Sequence, residues 1–218
     1  MDVSTIEARV KRQLNEPTAT NAGFWSDTDY LDCINEAQED FAIRTLCLKT
    51  DASFTTAADT AMYDISESSL TNFIDIAQVL YYESDDIYDV LISISRNKLL
   101  WYRGTDSVTS VPSFYCYEDR TIEFECDTED GKTVKVFYYY LPTAMTLTTQ
   151  VSGIPTKFHQ ALVSYVCWKL CESDDTKMDK VMYFKQQYME EIMQALSVLE
   201  PPASSYETIT DIDEVPYV

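Results

Sequence analysis

The sequence predicts an α+β protein: an antiparallel helical bundle interrupted by a β-rich insertion, an antiparallel sheet or small barrel, and followed by an extended C-terminal tail. Three observations carry this. Apolar residues recur at helical spacing as far as about Leu48, the period moves toward two from Ser53, and helical spacing returns after Ile154-Pro155. The expected boundaries are 1–52 for the N-terminal helices, 53–152 for the insertion, 153–200 for a helix pair completing the bundle, and 201–218 for the tail. A chain of 218 residues exceeds the usual domain size of about 100 to 150, so one body in two lobes is expected.

In the first helix Val3, Ile6, Val10 and Leu14 share a face. Arg9, Lys11 and Arg12 fall toward its C-terminal end, where the helix dipole favours cations, and Pro17 stops the pattern. A loop through Gly23 leads to Ser26 and Asp29, an approximate capping box, and then to Leu31, Ile34, Ala37 and Phe41 on the second helix. Phe54-Thr55-Thr56, Met62 to Ile65, Ile74 to Tyr82 and Tyr88 to Ile94 are β-branched or aromatic and read as strands. Arg96 to Arg103 reads as a short helix or turn ended by Gly104. Phe114 to Tyr117, Thr121 to Cys126 and Thr133 to Tyr140 continue the sheet, and Asp130-Gly131 signals a hairpin between the last two. Ile122, Phe124 and Cys126 alternate with Thr121, Glu123 and Glu125, which predicts one wet face.

After Pro155 a buried stripe is expected from Phe158, Ala161, Leu162, Tyr165, Val166 and Lys169, with a break at Ser173-Asp174-Asp175. The last helix uses Val181, Phe184, Tyr188, Ile192, Leu196 and Leu199, and the short connection predicts an antiparallel pair. Pro201-Pro202 ends it. The remaining chain carries acids and no base, with Tyr206, Ile209, Ile212, Val215, Tyr217 and Val218 too sparse for a private core but suited to docking on another chain.

With 16 basic and 37 acidic residues the formal charge is −21, which repels phosphate and disfavours nucleic-acid or anionic-membrane binding. No apolar run approaches the roughly 20 residues that span a bilayer, and the start Met1-Asp2-Val3-Ser4 has acid where a signal peptide needs base. The six cysteines contain no Cys-x-x-Cys pair and are read as reduced thiols.

His159 is the single histidine and no Gly-x-Ser-x-Gly elbow accompanies it, so a structural role is expected and no catalytic residue is assigned. The four glycines are isolated, which excludes phosphate loops and dinucleotide turns of the known patterns and leaves no cofactor to expect. The clusters Asp27/Asp29/Asp32, Asp85/Asp86/Asp89 and Asp127/Glu129/Asp130 lack calcium-loop spacing, so no metal site is assigned. An alternative is an acidic carbohydrate- or protein-binding module using the β-rich region, and a third reading is a metal-dependent hydrolase using these clusters.

Three stretches together resemble the head-to-tail adaptor proteins, also called connector or neck proteins, of tailed bacteriophages. They are Phe24 to Ala42 with its Ile34-Asn35-Glu36-Ala37-Gln38 core, Ala61 to Ile65, and Gly153 to Leu162 continuing to Tyr183-Phe184 and Tyr188. The resemblance spans roughly residues 3 to 199 and departs from small members in its long middle, Ser53 to Thr143. It implies a non-enzymatic structural protein of the virion neck, made in the host cytoplasm. It also implies a homo-oligomeric ring, commonly a dodecamer, that sits below the portal protein and extends the DNA channel. DNA would pass without specific binding, and the ring would offer a platform to tail, nozzle or stopper proteins, with no membrane involved. The six apolar tail residues, Tyr206 to Val218, are the expected contacts with the portal or a neighbouring subunit.

Overall fold

The computed structural model describes residues 1–16, 23–65, 70–104 and 108–199. Their fold is α+β, with five α-helices and one seven-stranded sheet. The chain divides into two compact units. One comprises Met1–Lys49, Asn72–Ile74 and Tyr139–Glu200; the other is built on Thr50–Thr71 and Asp75–Tyr138.

The first unit holds four helices. Helix α1, Val3–Leu14, starts where Asp2 Oδ1 accepts the Thr5 amide at 2.8 Å, and buries Val3, Ile6, Val10 and Leu14. Helix α2, Asp27–Thr45, begins in a full capping box: Ser26 Oγ accepts the Asp29 amide at 3.2 Å, and Asp29 Oδ2 accepts the Ser26 amide at 2.7 Å. Its buried face is Tyr30, Ile34, Ala37 and Phe41, so Tyr30 takes the place expected for Leu31, which is partly buried. The helix stops at Thr45, three residues short of Leu48, where Leu46 adopts a left-handed backbone (φ 51°).

Helix α4, His159–Glu172, is buried almost all round, since α1, α2 and α5 all pack on it. Helix α5, Met178–Val198, buries Phe184, Tyr188, Ile192 and Ala195. Ser164 meets Glu191 at 3.2 Å, Tyr165 and Tyr188 have ring centroids 5.1 Å apart, and Lys185 lies 5.1 Å over Trp168. Partners that ascend on one helix descend on the other, so α4 and α5 run antiparallel. Leu196 was expected in the buried face but is 44% exposed; Ala195 occupies the position against the core.

Polar residues of α2 hold the irregular segment that precedes α4. Asn35 Nδ2 donates to Met145 O at 2.9 Å, and Asn35 Oδ1 accepts the Met145 amide at 2.8 Å. Gln38 Nε2 donates to Thr143 O at 3.2 Å, while Gln38 Oε1 accepts from Ser152 Oγ at 3.1 Å. Unpaired backbone groups buried under α2 would cost free energy, and these two amide side chains satisfy them.

The second unit holds the sheet, from β1 (Lys49–Thr55), β2 (Thr60–Asp64), β3 (Phe73–Ser84), β4 (Ile87–Ser93), β5 (Phe114–Glu118), β6 (Thr121–Thr128) and β7 (Thr133–Tyr140), with helix α3 (Arg96–Arg103) between β4 and β5. The order is β1-β7-β3-β4-β5-β6-β2. Two expectations are corrected here. The sheet is mixed rather than antiparallel, because β4 and β5 pair in parallel with Ile92 opposite Phe114 and Ser93 opposite Tyr115. Parallel neighbours need a crossover, and α3 lies in it. The Asp130-Gly131 turn does form, with Gly131 at φ 73°, but it joins no hairpin. Strand β6 is already flanked by β5 and β2, and β7 by β1 and β3. The turn instead docks on the β1–β2 connection, where the Gly131 amide donates to Thr56 O at 3.0 Å.

Strands β1 and β2 stand at opposite ends of the order, yet the sheet curls enough to bring Phe54 and Tyr63 together at 5.1 Å between centroids. Val79, Tyr81, Ile122, Phe124, Val134 and Val136 line its buried face.

Candidate interaction surfaces

The six tail residues expected to dock, Tyr206, Ile209, Ile212, Val215, Tyr217 and Val218, lie outside the described residues. The other residues singled out by sequence take structural places. His159 is 1% exposed; its Nε2–H donates to Ile154 O at 2.6 Å, and its Nδ1 accepts from the Met1 nitrogen. Burial pushes the imidazole pKa below its ordinary value. Asp29 is spent on the α2 cap, and Glu129 pairs with Lys132 at 3.2 Å. Among the described residues, no group of three or more His, Cys, Asp or Glu side chains is placed to hold a metal ion. All six cysteines are unpaired, and burial pushes the half-buried Cys33 thiol up to about 11.

Two apolar surfaces face solvent. The first is built on α3, which turns Arg103 toward the sheet. Glu123 of β6 stands on the face expected to be wet, yet it is 6% exposed because α3 covers it. Arg103 Nη1 donates to Glu123 Oε1 at 2.7 Å, Arg103 Nη2 donates to Phe124 O, and Arg96 Nε lies 3.5 Å from Glu123 Oε2. With Arg103 held against the sheet and Leu99 buried, Leu100, Trp101 and Tyr102 are left outside, Trp101 at 76% exposure. Tyr102 stacks on Phe114 at 4.7 Å with planes 15° apart, and Trp101 meets Tyr102 edge-on at 5.0 Å. The surface continues by register. Phe114 lies opposite Ile92, and alternation along β4 puts Val90 and Tyr88 on that same face, with Tyr88 against Tyr82 at 5.5 Å. Aromatic side chains gathered outside a packed face are the composition that interfaces favour.

The second surface is a methionine stripe on α5. Met178, Met182, Met189, Met193 and Leu196 fall within about 60° of one another on a helix of 3.6 residues per turn, beside the buried face. Met182 is 71% and Met193 68% exposed. Sequence reasoning missed both surfaces, although each left a signal. Four consecutive apolar residues, Leu99 to Tyr102, cannot all face inward on one eight-residue helix. The projection of α5 shows a second apolar stripe beside the first.

The family model described as SU10 adaptor protein matches residues 1–207. The chain belongs to the SU10 adaptor protein family. No curated protein matches it. This membership agrees with the likeness to phage head-to-tail adaptors carried by the three sequence stretches, and a structural phage adaptor family implies a non-enzyme. In this SU10 adaptor, the stretch Ile34 to Gln38 buries Ile34 and Ala37 in the core and uses Asn35 and Gln38 as clamps; Glu36 Oε1 accepts from the Tyr165 hydroxyl at 2.8 Å. The family match ends inside the tail, so Tyr206 falls within it and the other five docking candidates beyond it.

Proposed function

We propose that this protein is a head-to-tail adaptor that assembles as a ring, with twelve copies as the expected number, below the portal of a tailed phage. It would extend the DNA channel and join capsid to tail. The family match over residues 1–207 carries this reading. Helices from 1–52 and 153–200 form the ring body as an antiparallel bundle, the insertion 53–152 offers the Trp101–Tyr88 surface to tail, nozzle or stopper proteins, and the tail 201–218 docks on the portal or a neighbouring subunit through Tyr206, Ile209, Ile212, Val215, Tyr217 and Val218. The finished assembly resides in the virion neck after synthesis in the host cytoplasm. A formal charge of −21 per chain supports passage of DNA without adsorption, since like charge disfavours contact.

Electron microscopy of the protein mixed with portal particles tests the proposal, because a ring template is supplied. The expected image is a closed ring stacked on the portal. Portal particles that stay bare at saturating protein, while the monomer binds a glycan array, would replace this reading with the carbohydrate-binding one.

A further inference from the structure

The methionine stripe of α5 faces solvent, and the chain carries a periodic apolar segment long enough to span it. We propose that Met178, Met182, Met189, Met193 and Leu196 of one copy receive residues 203–218 of a neighbouring copy. This rests on the adaptor reading in one respect only, that copies sit side by side.

The stripe runs about 27 Å along the helix at 1.5 Å per residue. Beyond Leu199 the chain has 19 more residues, in which Tyr206, Ile209, Ile212, Val215 and Val218 recur at every third position. A period of three is that of a polyproline II strand, and a partner that bound the segment in that form would meet all five on one edge, about 37 Å long at 3.1 Å per residue. Such an edge is too thin to bury itself and is suited to a groove or stripe on another surface. Unbranched thioether side chains adapt to an irregular partner better than β-branched ones.

The exit from α5 favours a neighbour over the same chain. Leu199 is extended (φ −84°, ψ 136°), and Pro201-Pro202 follows. Each proline disfavours helical backbone in the residue before it and fixes its own φ near −65°, so the sequence favours travel onward past the helix end rather than back along it. Charge agrees. Lys185 borders the stripe and sits over the Trp168 ring at 5.1 Å, and it forms no ion pair among the described residues. The segment brings Glu207, Asp211, Asp213 and Glu214 and no base.

The test is fluorescence anisotropy of a labelled synthetic peptide of residues 203–218, titrated with the full chain at concentrations where the chain sediments as a monomer. Saturable binding is expected, weakened at least tenfold by M182Q/M193Q in the full chain and by I209S/I212S in the peptide. Both methionines are exposed, so the melting curve of the variant should match that of the parent and certify its fold. Absence of binding to the parent chain, or equal binding to M182Q/M193Q, overturns the proposal. Rings that still form on portal particles after such a result would sink the stripe assignment alone. Peptide binding without rings on portal particles would sink the adaptor reading alone.

Discussion

Glu191 is a carboxyl of the helical unit that packing leaves half paired. Its Oε1 accepts from Ser164 Oγ at 3.2 Å, but its Oε2 is buried with no hydrogen-bond partner. Burial raises the carboxyl to about 7, against the opposing effect of the Ser164 bond. The unfolded carboxyl titrates near 4.5, so between that pH and about 7 the folded chain keeps a proton that the unfolded chain has lost. Stability therefore falls as pH rises through this window and levels off above it. Glu191→Gln keeps the acceptor for Ser164 and removes the titration. It should stabilise the protein by about 1 to 2 kcal/mol at pH 8 and by little at pH 4, measured by urea unfolding. Equal gains at both pH values would mean that the carboxylate is solvated. Asn35 gives a contrasting case. Asn35→Ala leaves the Met145 amide and carbonyl without their partner and should cost about 1 to 3 kcal/mol in the same assay.

Helix α3 carries a packing side and an exposed aromatic side within eight residues. Arg103→Ala strips the Glu123 carboxylate of its shortest partner and should destabilise by about 3 kcal/mol, whereas Trp101→Ala, on the same helix, should change stability by less than about 0.5 kcal/mol. Comparing thermal melts of the two with their recruitment of tail proteins to portal-bound rings separates the roles: Trp101→Ala should lose recruitment at parental stability. Elements of this kind also show what the sequence made legible. Helices α1 and α2 were readable because their signals are local, in the Ser26 cap of α2 and in apolar residues three and four apart on both, whereas the Asp2 cap of α1 went unread. Strand positions were readable from the same kind of evidence. Pairing was not. Nothing near Asp130-Gly131 records that β6 and β7 each have two other neighbours, and nothing in Ser93 or Tyr115 announces a parallel register. Glu123 was read as solvated because alternation reports which side of a strand a residue takes, and is silent on whether a helix covers that side.

For the whole molecule, deleting residues 203–218 should leave the melting temperature within about a degree, since α5 is capped by contacts within the helical unit, and should weaken retention on portal particles in a pelleting assay. Retention equal to that of the intact chain would remove the tail from the docking role. The discontinuous helical unit also sets an order of events during synthesis. The central helix α4 begins more than a hundred residues after α2 ends. At roughly 5 to 20 residues per second, α1 and α2 wait on the order of 10 s with Ile6, Val10, Ile34 and Phe41 uncovered before the helix they pack on leaves the ribosome. During that interval the nascent chain is open to chaperone capture and to premature association with other nascent copies. A slower ribosome should therefore lower the yield of soluble protein more than it would for a chain whose helices follow one another directly.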